Sequence, residues 1–71
     1  MLPQYSRVKL VTDRYRPEGA LPGMLGYIIE VHPGGKYEVE FSNPDGSTIA
    51  QVVVDETEVA LCPEQPDHGP P

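Results

Sequence analysis

Nine prolines and seven glycines are spread through a chain of 71 residues, and no segment between them is long enough for a helix of more than a turn or two. What the breakers leave are short runs alternating apolar and polar residues with period two, the period of a half-buried strand. The class expected is therefore all-β. A chain this short supports one domain, burying only about 60% of its unfolded surface. A single core at this size rarely supplies more than roughly 3–5 kcal/mol.

The runs are placed as follows. Arg7 to Val11 is a first strand with Val8 and Leu10 inward and Arg7 and Lys9 outward. Thr12 to Gly23 shows no periodicity and carries Pro17, Gly19, Pro22 and Gly23; it reads as a loop longer than the usual connection. Met24 to His32 is a second strand, with Tyr27, Ile29 and Val31 on its inner face, and it stops at Pro33-Gly34-Gly35. Lys36 to Phe41 alternates most cleanly, Tyr37, Val39 and Phe41 inward against Glu38 and Glu40. Asn43-Pro44-Asp45-Gly46 is a turn, proline presetting the backbone and glycine supplying positive φ. Thr48 to Val54 is a fourth strand that buries Ala50, Val52 and Val54, since the opposite phase would bury Gln51. Asp55 to Glu58 fits one 3-10 turn, and Val59-Ala60-Leu61 closes the fold.

Five strands in this order, with a long first loop and a 3-10 turn before the last strand, predict an SH3-like barrel over residues 1–61. Closure of such a sheet hides its edges. Residues 62–71, with four prolines, are too polar to pack and are expected to form a disordered tail.

Two stretches carry a family resemblance. Arg7-Val8-Lys9-Leu10 followed by Gly23-Met24-Leu25-Gly26-Tyr27-Ile28-Ile29-Glu30-Val31 resembles the G-x-x-G-x-hydrophobic pattern of KOW-type modules. Over about Val8 to Leu61 the chain resembles the bacterial domain-of-unknown-function family 4926. The match lies in the Gly-x-x-Gly strand, the Tyr37-Glu38-Val39-Glu40-Phe41 strand and the segment Asp45-Gly46-Ser47-Thr48-Ile49-Ala50. The chain is more distantly similar to the SH3-like domain of nitrile hydratase β subunits, which packs against a metal-bearing subunit. These resemblances imply an SH3-like fold and a bacterial cytosol, and a module that binds without reacting.

The residues themselves point away from catalysis. An enzyme needs an activated nucleophile or a matched acid and base. Glu38 and Glu40, two apart on one strand, read as a solvated sheet face, His32 beside Pro33 as a turn residue, and Cys62 as a free thiol. One cysteine and two histidines in this arrangement lack the spacing of a zinc site, so no metal or cofactor is expected. The aromatic cluster that reads polyproline is also missing, since there is no tryptophan and the tyrosines at 5, 15, 27 and 37 do not cluster in sequence.

Net charge is −6, from eleven acidic and five basic residues, which argues against nucleic acid, whose phosphates call for a basic patch. A small basic corner of Arg7, Lys9, Arg14 and Arg16 leaves a KOW-like RNA- or ribosome-associated module as the rival reading. The opening Met1-Leu2-Pro3-Gln4-Tyr5 lacks a cationic stretch leading into an apolar run, and no segment approaches a membrane span. The expectation is a cytoplasmic chain.

Two surfaces are candidates for partner binding. On the outer sheet face, the expected orientation sets Ile28, Ile49 and Val53 among Glu30, Glu38, Glu40 and Gln51, an apolar patch ringed by acids. The competing reading is that β-branched residues simply suit strands. In the long loop, Tyr15 and Leu21 offer apolar anchors between charges, unless the loop folds back to plug the barrel end. The function expected is an accessory, regulatory or antitoxin-like interaction module for a protein partner, a basic one if charge steers it. Homodimerisation is compatible with the same surfaces.

Overall fold

A computed structural model describes residues 2–62. Five strands, β1 (Arg7–Leu10), β2 (Leu25–His32), β3 (Lys36–Ser42), β4 (Thr48–Asp55) and β5 (Val59–Leu61), form one sheet in the order β4-β3-β2-β1-β5. All its pairings are antiparallel. The only helical pieces among the described residues are two 3-10 turns, η1 (Arg16–Glu18) and η2 (Glu56–Glu58). None of these is long and apolar enough to cross a membrane. The tail expected beyond Cys62 lies outside the described residues. Cys62 itself still follows β1, its N–H donating to the Arg7 carbonyl at 2.8 Å.

The strand alternation becomes rows of side chains across the sheet. One inner row runs Val8, Gly26, Phe41, Ala50; a second runs Ile28, Val39, Val52; a third runs Val31, Tyr37, Val54. Leu10 faces Val59 at the β1–β5 junction. Val8, Leu10, Ile28, Tyr37, Val39, Phe41 and Val54 are wholly buried and form the core with Ala20 from the long loop. Gly26 occupies the middle of the first row because nothing larger fits. A Cβ there would lie 2.7 Å from the Glu40 carbonyl oxygen and 2.8 Å from Phe41 Cδ1.

The orientation expected for β2 is reversed over its first half. Ile28, expected to face outward, is fully buried, whereas Tyr27, expected inward, is exposed and Ile29 only half-buried. The cause is a bulge. Pairing with β3 passes from Ile28↔Val39 to Glu30↔Glu38, leaving Ile29 without a partner. One extra residue shifts the phase of everything beyond it, so Ile28 and Val31 both reach the core although they are three apart. Strict alternation backward from Val31 cannot anticipate that step.

Ile49 also departs from expectation. A second irregularity, between Phe41↔Ala50 and Ser42↔Thr48, skips it in the ladder, and it packs half-buried against the core. Gly19, which ends η1 in a left-handed conformation at φ 93°, lies over it, since a Cβ on Gly19 would meet Ile49 Cγ2 at 3.5 Å. Of the three apolar residues expected outside, only Val53 is exposed.

Candidate interaction surface

Among the described residues no pocket opens, so the candidate site is a surface. The outer face of β2, β3 and β4 follows from the register. Tyr27, Glu40 and Gln51 form one cross-strand row, Glu30, Glu38 and Val53 the next, and His32, Lys36 and Asp55 the third. Every second residue of β3 and β4 is committed to the core, which forces the acids between them onto this side.

The acidic side chains are individually positioned. Glu38 accepts from Gln51 Nε2 through Oε2, and its Oε1 lies 3.2 Å from His32 Nε2. The bond from Gln51, and then that from His32, holds its carboxyl below the ordinary range. Glu40 accepts from the Thr48 hydroxyl at 2.7 Å. Lys36 and Asp55 pair at 3.1 Å, while Glu30 joins none of the ion pairs among the described residues. Beside these acids stand Val53 at 50%, Leu25 at 44% and Tyr27 at 41% exposure. Neither Leu25 nor Tyr27 is an expected surface residue, since Tyr27 is expected inward and Leu25 is assigned no face. Their signal was Gly26, which marks its own position as the crowded inner one and so turns both neighbours outward.

The long loop takes a different role. Tyr15 packs against the core, and its hydroxyl lies 2.6 Å from Glu58 Oε1 and 3.2 Å from the Val53 carbonyl. Glu58 Oε1 also accepts from the Asp55 N–H at 2.9 Å. Asp55 Oδ2 accepts in turn from the Thr57 N–H at 3.0 Å and its hydroxyl at 2.6 Å. This is a capping box around η2. Arg14 completes it with a bond to Glu58 Oε2 at 2.9 Å while lying over the Tyr15 ring. The loop is thereby tied to η2 and to the edge strand β4. Tyr15 is used inside the molecule, so of the two loop anchors only Leu21 is exposed.

This network sets a pH dependence. Burial pushes Glu58 upward, but the bonds from Tyr15 and the Asp55 N–H, with Arg14, outweigh it and leave the carboxyl low. Asp55 is held far below its usual range, first by the Thr57 hydroxyl, then by the Thr57 N–H and Lys36. Tyr15 is raised to about 12, first by burial and then by its bond to Glu58. A lowered carboxyl favours the fold above its unfolded value of about 4 and loses that effect as pH falls through the folded value. A raised phenol favours the fold below about pH 10 and loses it as pH rises toward its folded value. Melting temperature should therefore decline below about pH 4 and above about pH 10. Glu58→Gln should flatten the acid limb and Tyr15→Phe the alkaline one. Phenolate absorbance checks the second independently, because the latest-ionising phase should vanish in Tyr15→Phe.

With this geometry in place, comparison with known proteins yields one match. The model of a family described as a domain of unknown function (DUF4926) covers residues 4–61. No curated protein and no solved structure matches the chain. The matched span takes in all five strands and both 3-10 turns, and the chain belongs to the DUF4926 family.

Proposed function

We propose that the chain is a small, non-catalytic protein-interaction module, an accessory, regulatory or antitoxin-like protein that docks on a basic partner through the outer face of β2, β3 and β4. The observation carrying this reading is the cross-strand row Glu30–Glu38–Val53 beside Tyr27–Glu40–Gln51. It sets carboxylates next to exposed apolar side chains on a protein of net charge −6. An acidic field of this kind raises association rates with a basic surface more than it raises affinity. Val53 and Tyr27 supply the apolar contact, in place of the buried Ile28.

An SH3-like barrel is part of the proposal. β4 and β5 are the two edges of the sheet, yet only the three residues of η2 join them. A 3-10 turn rises about 2 Å per residue, whereas the edges of a flat five-stranded sheet stand about 19 Å apart at 4.8 Å per strand. So short a link supports a sheet curled until its edges approach. A cytoplasmic location accords with the single free thiol.

The RNA-binding alternative has less to work with, since Arg14 is held by Glu58 and the Arg7 guanidinium bonds to the Cys62 carbonyl at 3.3 Å. The test is charge reversal, Glu38→Lys with Glu40→Lys, in affinity capture from the native cells followed by association kinetics across a salt series. The double variant should associate about tenfold more slowly or worse at low salt, and wild-type binding should weaken as salt rises. Capture with unchanged rate and unchanged salt dependence would sink the reading. RNA in place of protein, with a steep salt slope abolished by Lys9→Glu and Arg16→Glu, would replace it by the rival.

A further inference from the structure

The bulge at Ile29 does more than bury Ile28. By shifting the phase of β2 it turns Glu30 and His32 to the face already occupied by Glu38, and Glu30 becomes the direct cross-strand partner of Glu38. One ligand atom from each of these three side chains lies within 4.8 Å of the other two. We propose that Glu30, His32 and Glu38 form a surface site for a divalent first-row transition ion, zinc above all. One carboxylate oxygen from each glutamate and Nε2 of His32 would be the ligands.

Four features of the site favour a cation there. Nε2 of His32 and Oε1 of Glu38 are 3.2 Å apart, close to the roughly 3.3 Å edge between two ligands held at about 2.0–2.1 Å by a tetrahedral zinc. Gln51 on β4 holds the other oxygen of Glu38, which aims Oε1 at the His32 side, the kind of supporting bond that orients metal ligands. Like charges directly opposite one another weaken a sheet, and Glu30 and Glu38 are so placed with no ammonium or guanidinium among the described residues paired to either. The nearest base in register, Lys36, is paired to Asp55. Finally, the His32 and Glu38 side chains are 36% and 25% exposed, so an ion can enter and keep a water or a partner's ligand in its open position.

The donor set selects the class of ion. Magnesium and calcium prefer all-oxygen surroundings, whereas an imidazole with two carboxylates suits zinc and its neighbours. No contiguous zinc motif announces the site, because its ligands come as Glu-x-His at the end of β2 and a glutamate at the third position of β3. The turn Pro33-Gly34-Gly35 folds them together. The inference stands apart from the docking reading, since it concerns what the isolated chain binds.

The test is calorimetric titration of the full chain with zinc, beside imidazole NMR of His32. A Cys62→Ser, His68→Ala variant removes the one thiol and the imidazole outside the site, and magnesium serves as the hard-ion control. Expected are one zinc per chain, unchanged in the double variant, and displacement of the His32 ring resonances on zinc addition. His32→Ala should weaken binding by more than the about 10–100-fold that loss of a mere supporting residue costs, and Glu30→Gln should weaken it as well. Melting curves of these variants without metal establish that they fold. Zinc capture unaffected by His32→Ala, its loss in the Cys62→Ser, His68→Ala variant, unmoved His32 resonances, or equal binding of magnesium would each overturn the proposal.

Discussion

Ile28→Ala should destabilise the protein by about 2–5 kcal/mol, against about 0.5 kcal/mol or less for Val53→Ala on the exposed face. Ile28 is wholly buried in the row with Val39 and Val52, and Val53 is half exposed. The loss on truncating Ile28 combines the transfer free energy of its methyl groups with the cavity they leave. A core expected to supply only about 3–5 kcal/mol cannot absorb it, so Ile28→Ala should be largely unfolded at ambient temperature. Urea denaturation followed by circular dichroism gives both values. Equal and small effects at the two positions would mean that β2 lacks the bulge and that Ile28 faces water.

Gly26→Ala should be nearly as damaging despite adding one methyl group. Its Cβ would stand 2.7 Å from the Glu40 carbonyl oxygen, 2.8 Å from Phe41 Cδ1 and 2.9 Å from Val39 Cγ1. Phe41 and Val39 are themselves fully buried, and a ladder carbonyl cannot move without parting β2 from β3. Overpacking of this kind costs about 1–3 kcal/mol, occasionally more, and Gly26→Val should exceed it. Gly34→Ala is the contrasting control. Its Cβ would meet nothing within 4 Å, and the penalty there comes only from the positive φ of 78°. Hydrogen exchange should locate the damage, with protection lost first along the β2–β3 ladder in Gly26→Ala and near the hairpin turn in Gly34→Ala. Comparable protection in wild type and Gly26→Ala would show that the two strands are not packed this closely.

In β3, where apolar and polar residues alternate without interruption, and in β4, where Gln51 stands between Ala50 and Val52, the residues told which side was inner. Tyr37, Val39 and Phe41 in β3 and Ala50, Val52 and Val54 in β4 lie where period two puts them. Each polar neighbour excluded the opposite phase, and the same logic put Glu38, Glu40 and Gln51 on the outer face. In β2 three adjacent apolar residues, Tyr27, Ile28 and Ile29, satisfy either phase. Local pattern could not choose between them, and the packing around Gly26 and the bulge decided it. The long loop is a similar case. Its prolines and glycines marked it as irregular, but the bonding of Tyr15 and Arg14 to Glu58 spans more than forty residues of chain, a distance over which no periodicity speaks.

What the sequence by itself determined is the class and the punctuation: breakers that forbid helices, turns that stop each strand, a 3-10 turn before the last strand, and an acidic balance. These are local properties, fixed within a few residues by backbone sterics and by side chains bonding to nearby amides. Tertiary structure alone decided the rest. It set which face of β2 is inner, which removes Ile28 from the candidate surface and adds Leu25 and Tyr27. It also brought Glu30, His32 and Glu38 together across a hairpin. Both outcomes depend on register, and register comes from the fit of a whole sheet around its core, where one extra residue reverses every side chain that follows.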